Sequence, residues 1–307
     1  MTKVLLTGAT GFLGSYIAEA LIDNGYSVIA LKRSASDCWR CKPFLHKIEW
    51  LDMNNEAFWK NRAANYKPSI IIHAAWVGVE ANARENWTEQ IKNIDFMMDL
   101  LILGKELNIE KFICLGSQAE YGYTDALVDE FSPLNPYNAY GSIKAASLEI
   151  FKCFCTQNNI NWVWLRLFSL FGAKENRSWL IPSLIIKLMK EKEMDLTLGM
   201  QKYAYLYVKD FSQIVTRIVN GGIESGVYNI SSNKVLSLKD IIQYIATVVN
   251  PEFKLNFGAV EYRKNQSMHI EGDISKLVHQ IGPVQFSDFD TSINETIEYY
   301  TSKKSQE

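Results

Sequence analysis

The stretch KVLLTGATGFLGSYIAEAL, residues 3–21, constrains the fold of this chain more than any other. A short apolar run reads as a buried strand over 3–8, and an amphipathic pattern over about 12–24 reads as a helix. Gly8, Gly11 and Gly14 fall at the junction. Glycines there permit a tight turn and let an anionic group approach backbone N–H groups at the positive end of the helix. That is the way a pyrophosphate is held, so Gly8, Thr10, Gly11, Phe12, Leu13 and Gly14 are candidates for binding a dinucleotide.

Downstream, short apolar runs at 27–33, 48–52, 69–75, 111–117 and 161–169 alternate with helical stretches near 88–107 and 137–157. This βαβ alternation predicts an α/β chain with a Rossmann-type, doubly wound parallel sheet. Beyond residue 170 the pattern becomes irregular: a helix near 180–192, a short strand at 204–208, a helix at 210–220, a strand at 226–231 and a helix at 237–249. Expected domains are 1–170 for the dinucleotide, with 204–231 returning to it, and a smaller α/β part, 171–307, mainly for substrate. The polar C-terminus reads as ragged and frayed.

Charge excludes some partners. With 32 basic against 34 acidic residues, there is no positive field to hold nucleic acid or an anionic membrane. No apolar run reaches the length of a membrane span, and the opening segment turns into glycines too soon for a signal peptide. Five cysteines form no paired framework, which points to a reducing cytoplasm. Cys38 and Cys41 stand in C-W-R-C without a second ligand pair, so no metal is expected.

At the end of the second strand, an acid would bond the ribose hydroxyl of NAD, whereas basic residues accommodate the extra phosphate of NADP. Lys32 and Arg33 stand there, which favours NADP(H); two solvated surface cations are the plain alternative. Asp52 closes the next strand, either at the adenine edge or as a turn cap.

Four Tyr-x-x-x-Lys spacings occur, Tyr140/Lys144, Tyr205/Lys209, Tyr299/Lys303 and Tyr300/Lys304. On a helix such a pair shares one face, and the ammonium stabilises a phenolate, making the tyrosine a usable acid or base. Only Tyr140/Lys144 lies on a predicted helix that follows a strand ending in a serine, Ser117, whose hydroxyl could hold a reacting carbonyl.

Together TGATGFLG (7–14), HAA (73–75), GSQAEYG (116–122), YGSIK (140–144) and LRLFSLFG (165–172) resemble the extended short-chain dehydrogenases/reductases, the NAD-dependent epimerase/dehydratase family. The resemblance implies Ser117, Tyr140 and Lys144 as the catalytic set, with Ala74, Ala75, Tyr140 and Lys144 also beside the cofactor and His73 packed near it. It implies a nucleoside-diphosphate sugar as substrate and a homodimer through helices 88–107 and 137–157, where Ile91, Ile94, Met98 and Leu101 either face a partner or pack on their own sheet. The family's dehydratases carry Asp-Glu after the catalytic Thr. Here Gln118 and Ala119 stand there, and Glu120 comes one position late. The tail over 256–282 is similar to that of CDP-abequose and CDP-paratose synthases, with dTDP-6-deoxyhexose 4-reductases close behind. By the same match Arg263 falls where members hold the diphosphate, Tyr203 replaces another such Arg, and Gln118 and Arg177 are substrate-side candidates, Arg177 equally a helix-start residue. Trp162 and Trp164 read as core, and Trp76 and Trp179 as neighbours of the cleft.

The expected activity is therefore NADPH-dependent reduction of the C4 ketone of a 4-keto-6-deoxy or dideoxyhexose nucleotide, making a deoxysugar for cell-surface polysaccharide. A redox-neutral C4 epimerase and a non-catalytic dinucleotide sensor are the alternatives.

Overall fold

A computed structural model describes residues 1–54, 56–264 and 266–302. Seven strands build the central sheet: β1 (Lys3–Thr7), β2 (Ser27–Lys32), β3 (Ile48–Asp52), β4 (Ile70–His73), β5 (Lys111–Ser117), β6 (Asn161–Leu167) and β7 (Gly226–Ile230). Their order in space is β7-β6-β5-β4-β1-β2-β3, with every neighbouring pair parallel. Chain direction across the sheet reverses between β1 and β4, so the crevice beyond their carboxyl ends is where a ligand fits.

Nine helices are described: α1 (Phe12–Asp23), α2 (Glu56–Tyr66), α3 (Trp87–Glu106), α4 (Ala139–Gln157), α5 (Leu180–Lys190), α6 (Val208–Asn220), α7 (Leu238–Val249), α8 (Ser275–Ile281) and α9 (Phe289–Thr301). The sheet is buried on both faces, which is why its strands read as apolar runs rather than alternating ones. Val4 and Leu6 of β1 point to one side, where they join Ile17 of α1 and Phe211 and Ile214 of α6. Leu5 points to the other, among Met97 and Leu101 of α3 and Phe151 of α4. Trp164 is fully buried in that second layer. Segment 226–230 does return to the sheet, as its edge strand beside β6.

A third core lies outside the sheet, where Ile185 of α5, Ile241 and Ile245 of α7, and Ile293, Ile297 and Tyr300 of α9 meet. Here the frayed C-terminus expected from its polarity is wrong as far as residue 301. Asp288 caps α9 by accepting the Thr291 N–H at 3.0 Å, and its apolar residues at helical spacing face inward. Lys303 and Lys304 lie outside the described residues. Of the two readings for the apolar positions on α3, Leu101 takes packing in its own core, whereas Ile91 is 54% exposed. One other expectation changes. The strand expected at 204–208 shrinks to Leu206–Tyr207, because Val208 already begins α6. Helix α2, which lacks a clear apolar stripe, had no expectation at all. No helix among the described residues is long and apolar enough to cross a membrane.

Candidate active site

The glycine turn is built for close approach. Gly8 has φ +76°, and a Cβ there would stand 2.7 Å from the Ala75 nitrogen across the crevice. At Gly14 a Cβ would meet the Gly8 carbonyl oxygen at 2.0 Å. Helix α1 starts from Gly11 with no side-chain cap and no acid in its first turn, so the first N–H groups, around Phe12 and Leu13, are left for an anion. Beneath the loop, Cys41 Sγ donates to Ala9 O at 3.2 Å and Arg40 Nη1 to Thr10 O at 3.2 Å. The C-W-R-C segment thus packs under the turn. Among the described residues no group of three or more His, Cys, Asp and Glu could hold a metal ion.

Lys32 ends β2 half-buried and Arg33 is exposed beyond it. Asp52, paired with Lys32 in the β2/β3 register, accepts from the Ser34 hydroxyl and from Asn54 N at 2.9 Å. Ser34, Asn54 and Lys32, in that order, hold its carboxyl below the usual range. As observed, Asp52 caps the turn that follows β3. Ala74 and Ala75 follow β4, and Ala75 N donates to Thr7 Oγ1 at 3.1 Å. The same hydroxyl meets His73 Nδ1 at 2.8 Å. Burial, with the Lys144 charge second, pulls the His73 imidazole down to about 3, so it is neutral.

Ser117, Tyr140 and Lys144 come together at the carboxyl edge of β5. All three are buried, at 8%, 7% and 3% exposure. Helix α4 is capped by Asn138, which accepts the Gly141 N–H at 2.8 Å. A Cβ on Gly141 would stand 2.4 Å from Ala119 O, so glycine lets α4 press against the turn after Ser117. The Ser117 side chain lies close enough to the Tyr140 phenol to lower its pKa. Burial pushes the Tyr140 phenol above its ordinary value, opposed first by the Arg84 guanidinium and then by Ser117. Lys144 Nζ donates to Leu115 O at 2.6 Å and lies 3.3 Å from the Trp76 ring centroid. Burial lowers its ammonium to about 8. Trp76 is held in turn by Nε1 donating to Gln90 Oε1 at 2.9 Å, with Asn93 Oδ1 accepting from Val77 N at 2.8 Å.

Glu120 turns inward. Its carboxylate accepts from Ser117 N at 2.8 Å, Trp164 Nε1 at 2.9 Å and Arg166 Nε at 2.7 Å. Fully buried and paired, it serves the strand end and not a substrate. Gln118 is half-buried beside it. The charges of Tyr137, just before α4, and of exposed Arg263 are felt at Tyr203. The Arg177 charge is felt at Tyr299 on α9. Tyr205 packs against Phe171, and Lys209 pairs with Glu295, so that spacing makes no pair. Trp179 stands across the Arg84 guanidinium from Tyr140. Arg84, Arg40 and Gln90 had no sequence signal, since their partners lie far from any repeating pattern: loop carbonyls for the two arginines and the Trp76 side chain for Gln90.

The model of the NAD dependent epimerase/dehydratase family matches residues 4–231. The chain belongs to this family. Among family relatives, CDP-abequose synthase of Salmonella muenchen is 27% identical over 93% of this chain and 94% of its own length. A dTDP-6-deoxy-L-talose 4-dehydrogenase (NAD(+)) of Aggregatibacter actinomycetemcomitans is 25% identical over 88% of this chain and 99% of its own. In fold, the UDP-glucose 4-epimerase of Thermotoga maritima, solved with UDP-glucose, superposes with a TM-score of 0.89 at 19% identity, covering all of both chains.

Proposed function

We propose that this protein reduces the C4 ketone of a nucleoside-diphosphate 4-keto-6-deoxy or dideoxyhexose, using NADPH. The observation that carries this is the meeting of Ser117 and Tyr140, one helical turn from buried Lys144, at the carboxyl edge of a sheet whose first turn leads into a helix start without a side-chain cap. A nicotinamide dinucleotide fits that turn, since no side chain fills it, and when bound it supplies the hydride. Ser117 Oγ donates to the ketone oxygen and polarises it. Tyr140 then passes its phenolic proton to the same oxygen as charge develops there. Lys144, with its ammonium at about 8 and so still largely protonated at pH 7, keeps positive charge 6.0 Å from the Tyr140 ring centroid and would hold the ribose of a bound cofactor.

Dehydration is disfavoured because Gln118 and Ala119 offer no acid and base, and Glu120 is committed to Arg166. The names of the two relatives, a CDP-sugar synthase and a dTDP-6-deoxysugar dehydrogenase, support a deoxysugar nucleotide. Lys32 and Arg33 support NADP, while the talose dehydrogenase is named with NAD(+); binding titrations of both decide, and equal or tighter NAD affinity removes the role of these cations. Arg263 beside Tyr203 supplies a contact for the diphosphate. A cytoplasmic homodimer through α3 and α4 completes the proposal, with sedimentation at monomer mass as its refutation.

The decisive experiment follows NADPH oxidation against CDP-, dTDP- and GDP-linked 4-keto-6-deoxysugars, with product stereochemistry read by NMR. Tightly bound nicotinamide after purification and no net NADPH consumption would identify an epimerase.

A further inference from the structure

Arg84 reaches Tyr140 from a loop with no helical or strand periodicity. Its guanidinium carbon lies 4.8 Å from the Tyr140 ring centroid and 5.3 Å from that of Trp179, a cation held between two aromatic faces. Lys144 Nζ is farther from the same tyrosine ring, at 6.0 Å, and is already engaged by Leu115 O and the Trp76 face.

The loop is rigidly tied. Arg84 Nε donates to Val79 O at 2.9 Å, and the Arg84 carbonyl accepts the Tyr140 N–H at 2.9 Å, joining this loop to the first turn of α4. Of the two acids on the same loop, Glu80 accepts from Asn176 Nδ2 at 3.0 Å, and Glu85, next to Arg84, is exposed. Arg84 takes part in none of the ion pairs within 4.0 Å among the described residues.

We propose that Arg84 is a positioning residue of the active site: stacked between Tyr140 and Trp179, it orients the phenol and stabilises the negative charge left when Tyr140 gives up its proton. The step is simple in its balance. The Tyr140 O–H bond breaks, its electron pair stays on the phenolate oxygen, and the proton goes to the oxygen at sugar C4. This rests on the assignment of Tyr140 as the acid. Of the other groups near the phenol, Lys144 adds positive charge from farther off, 6.0 Å from the ring centroid. The Ser117 hydroxyl is neutral, and Glu120 opposes ionisation but is neutralised by Arg166. A guanidinium over a ring face stabilises phenolate in the manner of an opposite charge at close range.

The test needs no substrate. Protein carrying 13Cζ-labelled tyrosine is titrated by NMR, with the Tyr140 resonance assigned by its loss in Tyr140→Phe. Arg84→Met should raise the Tyr140 midpoint by about one pH unit, and Arg84→Lys should recover at least about half of that shift. Removing the cation raises the phenol pKa, so in turnover the alkaline limb, where the acid loses its proton, moves to higher pH in Arg84→Met. An unchanged midpoint in both variants overturns the proposal. A wild-type Tyr140 that stays protonated throughout the range in which the chain remains folded overturns it equally. The sugar panel reads the reductase assignment separately, so a shifted midpoint with no ketone reduced would leave Arg84 in its role and remove the reductase.

Discussion

Glu120 Oε1 accepts the backbone N–H of Ser117 at 2.8 Å, while its second oxygen holds Arg166 Nε at 2.7 Å in an ion pair that is 0% and 3% exposed at its two side chains. The Glu120 carboxylate is thus a support of the strand end that presents the serine. Truncating it leaves the Arg166 charge buried without its partner, which costs on the order of 3–5 kcal/mol. Glu120→Ala is expected to lower the urea midpoint accordingly and to reduce turnover through a displaced Ser117. Changing both residues, in Glu120→Leu/Arg166→Met, should recover much of the stability. A Glu120→Ala protein as stable as wild type would show that the pair contributes nothing.

Tyr140→Phe keeps the ring that packs against Trp76, at 6.3 Å between centroids, and loses only the hydroxyl. Turnover should fall by at least about 100-fold, the lower end of what a positioned acid contributes. Dinucleotide affinity, measured by fluorescence titration, should stay nearly unchanged, because the glycine turn is untouched. Retention of most activity would remove Tyr140 as the acid.

Gly14→Ala tests the turn itself. The new methyl would sit 2.0 Å from Gly8 O, an atom of rigid backbone, whereas Gly222→Ala meets nothing within 4 Å. Dinucleotide binding should be lost or greatly weakened in the first and unchanged in the second. Equal affinities in the two variants would mean that the pyrophosphate does not enter between α1 and the Ala75 strand end.

The parts of this site that could be read from sequence are those whose chemistry is local. Gly8, Gly11 and Gly14 sit within one turn, and Tyr140 and Lys144 within one helical turn, so spacing alone carries their geometry. The buried sheet was legible because strands covered on both faces become apolar runs. Arg84 was not legible, since it lies 56 positions before the tyrosine that it stacks on and is brought there by loop hydrogen bonds. Arg40 was missed for the same reason, its partners being backbone carbonyls of Thr10 and Lys174. Helix α9 was misread because polar residues dominate its composition, while three inward positions, Ile293, Ile297 and Tyr300, decide its fate.

Glu175 offers a test of the C-terminal closure. Its Oε2 is buried without a hydrogen-bond partner, and the Tyr300 hydroxyl of α9 donates to its backbone carbonyl at 2.9 Å. Burial raises the carboxyl from 4.5 to about 8. The folded chain therefore keeps this proton where the unfolded chain releases it, and the sign follows. The stability linked to Glu175 is fully present below pH 4.5 and is lost as pH rises to 8, by about 1.4 kcal/mol for each unit crossed. Glu175→Gln cannot ionise, so its stability relative to wild type should climb between about pH 5 and pH 8. Urea unfolding of both proteins at several pH values across that window measures the slope directly. A difference that stays constant with pH would mean that Glu175 is ionised in the folded chain and that the loop before α5 admits water to it.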